Sequence, residues 1–197
     1  MDNKEMDLLL SFDLSTTVVG YSIFSLFRGD LVTCKYHKFD ADELVDRGME
    51  LIGLIDDILA KCKSDGFGVT KFVIEERLKS FRQGGTNADA MLKTAQLNFA
   101  CQIIMKTKGL ETVEINVNAA RSACFPGFHK VARARKDVKQ KEVAFEFAVK
   151  ELGESFFPKK VLKSGPRKGE EVFLEEAKDM SDSWILGKAY LKLYDGK

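Results

Sequence analysis

The chain has 197 residues, 45% of them hydrophobic, with 31 Lys and Arg set against 30 Asp and Glu for a net charge of +1. That length and balance suit one globular domain, 1–197, with a full core. They exclude a bilayer-crossing protein, because no apolar run approaches the roughly 20 residues such a helix needs, and the polar, acidic N-terminus is unlike a signal peptide.

Residues 8–13 form a short, nearly continuous apolar run, the pattern of a central strand buried on both faces. Ser15-Thr16-Thr17 reads as a turn. Residues 18–27 and 31–39 read as two further strands separated by Arg28-Gly29-Asp30, which completes an antiparallel meander. Asp40 or Asp42 is expected to cap a helix reaching residue 62, with Leu44, Val45, Leu51, Ile52, Ile55, Ile58 and Leu59 at helical spacing. A fourth strand spans 71–75, and a basic, glycine-containing loop follows at 77–85. The next helix, 87–106, is expected to turn Ala88, Met91, Leu92, Ala95, Phe99 and Ile103 toward the core. A fifth strand is expected at 112–117, and a short helix within 119–134 broken at Pro126-Gly127. A helix at 136–152 buries Phe145, Ala148, Val149 and Leu152. The stretch 155–176 reads as a loop or hairpin insert around Ser164-Gly165-Pro166-Arg167-Lys168-Gly169, and the last helix as 180–193. The order describes one mixed α/β domain. Cys34, Cys62, Cys101 and Cys124 show neither CxxC pairing nor zinc-like grouping with His37 or His129. They read as buried thiols of a protein from an intracellular, reducing compartment.

Four acids stand where acids are costly. Asp13 ends the first apolar run, Glu75 ends the run Phe72-Val73-Ile74, and Asp179 and Asp182 lie three apart ahead of an apolar helical pattern. A buried carboxylate must be neutralised, paired or bound to a metal, and a pair of divalent ions is the expected answer here, a chemistry suited to phosphodiester hydrolysis. Glu76 would face away from Glu75 on a strand and is the reserve choice. Each acid also has a plain reading: Asp13 as a turn residue, Glu75 and Glu76 as a solvated strand end, Asp179 as an N-cap with Asp182 in the first turn.

The motifs carry a resemblance. Ser11-Phe12-Asp13-Leu14-Ser15 continuing to Gly20-Tyr21-Ser22, then Phe72-Val73-Ile74-Glu75-Glu76, then Asn87-Ala88-Asp89, and finally Asp179-Met180-Ser181-Asp182, in this order and spacing, resemble the RuvC family of Holliday junction resolvases within the RNase H-like superfamily. The resemblance covers nearly the whole chain. It implies an α/β, RNase H-like mixed five-stranded sheet, three antiparallel strands then parallel ones, flanked by helices. It implies a Mg2+-dependent endonuclease that resolves four-way DNA junctions by paired symmetric nicks in DNA recombination and repair. Asp13, Glu75, Asp179 and Asp182 would be its catalytic and metal-binding residues. Two Mg2+ ions per site are expected, Asp13 bridging them, with Mn2+ able to substitute. Leu14-Ser15 replaces the Pro-Gly common in bacterial members, and Leu78 stands where they carry an aromatic wedge, with Phe81 nearby as a substitute. The chain therefore resembles a divergent member, of viral, phage or organellar type.

The remaining signals concern nucleic acid. Arg77, Lys79, Phe81 and Arg82 follow the Glu75 strand, and Lys130, Arg133, Arg135, Lys136, Lys139 and Lys141 crowd a stretch with the single acid Asp137. They read as DNA contacts, a phosphate track, the alternative for the second group being a solvated helix face. Arg121 is a weaker candidate, and 159–168 is a further basic stretch. The near two-fold symmetry of a four-way junction matches a homodimer, with the helix at 87–106 as the expected interface. Two competing functions fit the same residues: an RNase H-like nuclease on RNA–DNA hybrids or flaps, and a catalytically silent nucleic-acid-binding module. An actin-like ATPase is disfavoured, since it needs two domains and glycine-rich phosphate loops.

Overall fold

The computed structural model describes residues 7–76 and 88–194. Strands β1 (Asp7–Leu14), β2 (Val18–Ser25) and β3 (Leu31–Lys38) run up and down. Helix α1 (Leu44–Ser64) leads into β4 (Gly68–Glu75), and α2 (Ala88–Thr107) into β5 (Glu111–Ile115). Helices α3 (Val117–Cys124), α4 (Phe128–Ala134) and α5 (Gln140–Leu152) follow, then a small hairpin of β6 (Lys159–Val161) and β7 (Glu171–Phe173), and finally α6 (Glu176–Tyr194). The main sheet has five strands in the order β3-β2-β1-β4-β5. Pairing is antiparallel within β1–β3 and parallel for β4 on β1 and β5 on β4, the mixed sheet expected from the strand pattern.

Strand alternation divides the core in two. Leu8, Leu10 and Phe12 pack with Phe72 and Ile74 against Leu51 and Ile55 of α1 and Leu97, Cys101 and Met105 of α2. On the opposite face, Leu9, Val73 and Ile115 meet Ala120, Val143, Ala148, Trp184 and Ile185 from the C-terminal helices. Burying each large side chain contributes roughly 1.5–3 kcal/mol. The four cysteines are free and buried, and no helix among the described residues is long and apolar enough to cross a membrane.

Several boundaries differ from expectation for physical reasons. Neither Asp40 nor Asp42 caps α1; Glu43 precedes it without a side-chain cap, and Glu50 instead accepts from the backbone N–H groups of Asp40 and Ala41. The helix α6 begins at Glu176, so Asp179 lies inside its first turn rather than capping it. The face of α2 is also corrected. Leu92, Phe99 and Ile103, expected inside, are 52%, 54% and 47% exposed, while Leu97, Asn98, Cys101 and Met105 point inward. Apolar residues surround this helix, so spacing alone does not choose its buried stripe.

Two truncations separate the faces. Leu97→Ala is expected to cost about 2–5 kcal/mol in urea unfolding, and Ile103→Ala no more than about 0.5 kcal/mol. Equal losses would refute the assignment.

Candidate active site: an acid cluster held by two cations

The odd positions of β1 place Ser11 and Asp13 on the face turned to α6, beside Val73 and Glu75 of β4. Parallel pairing sets Phe12 opposite Ile74, so the two acids end neighbouring strands side by side. Across the sheet, Gly20 of β2 pairs with Asp13. A Cβ at Gly20 would lie 2.1 Å from the Asp179 carbonyl oxygen, and one at Gly187 would lie 2.3 Å from the Phe24 ring and 2.8 Å from Ser11 Oγ. Glycine on both partners lets α6 rest directly on the strands, bringing Asp179 and Asp182 to Asp13.

Small polar side chains hold that contact. Ser11 Oγ donates to the Ser183 carbonyl at 2.8 Å, and Ser183 Oγ donates to the Met180 carbonyl at 2.8 Å. The single Ser183 proton being used, Ser22 donates in the 2.9 Å Ser22–Ser183 hydroxyl pair. Cys34 Sγ reaches the same Met180 carbonyl at 3.3 Å. Glu75 is held through its backbone: Asn98 Nδ2 of α2 donates to its carbonyl at 3.1 Å, and Gln102 Nε2 donates to Asn98 Oδ1 at 2.7 Å.

The acids find cationic partners from distant parts of the chain. Lys141 Nζ, at the start of α5, lies 2.7 Å from Asp179 Oδ1, 3.3 Å from Asp182 Oδ2 and 3.4 Å from Asp13 Oδ2. Arg121 Nη2, from α3, lies 3.1 Å and 3.4 Å from the two carboxylate oxygens of Asp182. Asn116 caps α3 by accepting from the N–H groups of Asn118 and Ala119, and its own amide donates to Glu76 Oε2 at 3.3 Å. This fixes the helix that aims Arg121. Arg121, a weaker candidate for DNA contact in the sequence, is buried here as the counter-ion of Asp182. Burial pushes the Asp13 carboxyl well above its ordinary range; Lys141 opposes this, while Asp182, Glu75 and Asp179 add to it. Glu75 is raised by burial and by Asp182, against Arg121 and Lys141. Burial alone would lower the Lys141 pKa, yet Asp13, Asp182 and Asp179 together hold it above the ordinary lysine value.

Among the described residues, no group of three or more His, Cys, Asp and Glu side chains forms a ready metal cage. The carboxylates are instead spread around the Lys141 ammonium, three of them facing one cation position. An all-oxygen, anionic donor set directed at one cation is the chemistry that suits Mg2+ or Mn2+, so the residues fit such an ion once the ammonium leaves.

Of the residues expected at DNA, Arg77, Lys79, Phe81 and Arg82 lie outside the described residues. Lys130, Arg133, Lys136 and Lys139 are exposed. Arg135 is engaged by Glu146 in a two-bonded ion pair, and Lys141 belongs to the acid cluster. A cleft of about 370 Å³ beside Asp179 is lined by Lys139, Lys141, Glu142, Glu175 and Lys178. His129 bonds Ser122 Oγ at 2.8 Å. Sequence reasoning missed Asn98 and Gln102; two amides four apart on the inward side of an apolar helix were the available signal.

No protein-family model matches the chain, and no curated protein sequence does. Solved structures do. RuvC of Thermus thermophilus in complex with a Holliday junction substrate aligns with 95% of this chain and 96% of its own at a TM-score of 0.58 and 14% identity. A second Thermus thermophilus RuvC structure aligns with 94% of this chain and 96% of its own, with a TM-score of 0.56 and 12% identity. The yeast mitochondrial Holliday junction resolvase covers 93% of this chain and 77% of its own at a TM-score of 0.49 and 12% identity. The two Thermus thermophilus structures show that the chain has the RuvC-type, RNase H-like fold.

Two variants test the electrostatics. A carboxyl whose pKa rises on folding contributes stability at low pH that is lost as pH climbs through its folded value. In metal-free protein at pH 7, Asp13→Asn is expected to raise Tm by a few degrees, ~1 kcal/mol corresponding to about 2–4 °C at this size. Arg121→Met, which leaves Asp182 buried with one partner fewer, is expected to cost about 3–5 kcal/mol. Thermal unfolding checks both, and a drop in Tm for Asp13→Asn would contradict the burial cost.

Proposed function

We propose that this chain is a Mg2+-dependent endodeoxyribonuclease that resolves four-way DNA junctions by paired, symmetric nicks. One observation carries the reading: Asp13, Glu75, Asp179 and Asp182 meet at one end of the central strands, three of them facing one cation position. The fold shared with RuvC, which has been solved with a Holliday junction substrate, points the same way. The four acids would hold two Mg2+ ions, or Mn2+ in their place. Such ions activate a water for attack on phosphorus and stabilise the departing oxygen.

The chain's own residues do the rest. Lys139 and Lys178 line the cleft beside Asp179 and bind the phosphate backbone there. Exposed Lys130, Arg133 and Lys136 extend that contact and make affinity fall with salt. Arg121 keeps the Asp182 carboxylate aimed, and the Asn98 amide keeps the end of β4 in place.

The active form is a homodimer, matching the near two-fold symmetry of the junction. The partner copy sits on the outer side of α1 and α2. There an apolar groove of about 400 Å³ is lined by Val45, Met49, Ile52, Ile103 and Ile104. Exposed Val45, Met49, Leu92 and Ile103 surround it. Sedimentation is expected to give a dimer that Ile103→Glu converts to monomer; a monomeric parent protein at micromolar concentration would remove this part of the reading.

The direct test is cleavage with Mg2+ of a mobile four-way junction, a linear duplex, a flap and an RNA–DNA hybrid. Paired nicks confined to the junction, reduced roughly 10³-fold or more in Asp13→Asn with binding retained, are expected. Cleavage of hybrid or flap without junction preference would instead mark a general RNase H-like nuclease. Junction binding with no cleavage would mark a silent binding module.

A further inference from the structure

The two cations of the acid cluster are held in different ways. Arg121 is fixed: its side chain is 8% exposed, it faces the buried Asp182, and its guanidinium lies 6.0 Å from the Phe128 ring centre. Lys141 reaches the acids from outside. Its side chain is 38% exposed, it sits in the first turn of α5, and it lines the open cleft beside Asp179 as well as touching three carboxylates. Arginine is the residue of permanent buried pairs, whereas lysine carries a point charge on a flexible four-carbon stem.

We propose that Lys141 is an internal stand-in for the metal: its ammonium fills the cation position of the acid cluster until a divalent ion arrives, and then swings into the adjoining cleft. The inference rests on the reading of the acids as metal ligands and goes beyond it by assigning how the site is kept before loading. Oxygen ligands close on Mg2+ at about 2.0–2.1 Å, whereas Lys141 lies 2.7–3.4 Å from its three carboxylates. The ammonium and the ion compete for one place and repel each other, so one leaves when the other enters. An exit is at hand, because the side chain already lines the cleft where Lys139 and Lys178 stand.

Two consequences follow. The three carboxylates that Lys141 touches are never left bare, so the site keeps its shape between loadings. Metal binding must also break the three Lys141 contacts, which weakens it until a phosphate in the cleft offers the freed ammonium a new partner. Metal and nucleic acid thereby strengthen each other's binding, as linkage requires when one event releases a group the other uses.

The experiment is pulsed acetylation of lysines in the full chain, read by mass spectrometry, with and without saturating Mg2+ and without DNA, alongside calorimetric titration of Mg2+. Lys141 is expected to become several-fold more reactive when Mg2+ is added, while Lys130, which is exposed, stays unchanged as the internal standard. Lys141→Gln is expected to bind Mg2+ several-fold more tightly than the parent. If Mg2+ binds calorimetrically but Lys141 stays protected, or if Lys141→Gln folds and binds Mg2+ no better, the stand-in is overturned and the metal reading survives. If the parent binds no Mg2+ at all, both fall together.

Discussion

The close contact of α6 with the sheet, with no side chain at Gly20 or Gly187 to hold the two apart, is the constraint on which the rest depends. At Gly20 and Gly187 the two surfaces approach closer than any Cβ would allow, and the hydroxyls of Ser11 and Ser183 donate to helix carbonyls. Because a helix carries Asp179 and Asp182 at fixed spacing, seating its first turns on β2 brings both acids to Asp13 at once. A larger residue at Gly20 would force the backbone of Asp179 outward and open the cluster, even with all four acids still present. The site is therefore encoded as much in residues that lack side chains as in those that bear charge.

Charge balance is the second requirement. Four carboxylates at the end of two central strands would repel one another and resist burial. Two cations from α3 and α5 make the arrangement tolerable, and both come from elements packed on the face that α6 occupies. The electrostatic order is local: Arg121 serves Asp182, and Lys141 spans Asp13, Asp179 and Asp182. Glu75 has no ion pair among these and is held instead by the amide of Asn98 on its backbone. Two helices from opposite faces of the sheet thus converge on one site, α2 by neutral hydrogen bonds and α3 by charge.

The sequence shows part of this and conceals part for identifiable reasons. Strands β1 to β5 are legible because buried central strands require continuous apolar runs, and the meander is legible from its turn residues. The acids are conspicuous because carboxylates closing apolar runs are costly. The pairing of Arg121 is hidden because its partner lies 61 positions away and no local pattern connects them. Lys141 merges into a basic stretch from which only the fold separates it. The inward face of α2 is obscured by apolar residues on all sides of that helix, one set packed in the core and another facing outward. Asn98 could not be ranked from sequence, since its pairing with Gln102 carries meaning only once the inward side of α2 is known.

The Ser11–Ser183 bond joins positions 172 apart in the chain, and that separation has a kinetic meaning. Local structure such as the β1–β3 meander can form early, whereas closing so long a loop comes late because its entropy cost precedes its reward. Asp13 is then in place well before Asp179 and Asp182 reach it. A partly folded molecule holds scattered acids and no common cation position, so the acid cluster is completed only with the full tertiary structure. Topology itself sets the order in which the four acids are assembled.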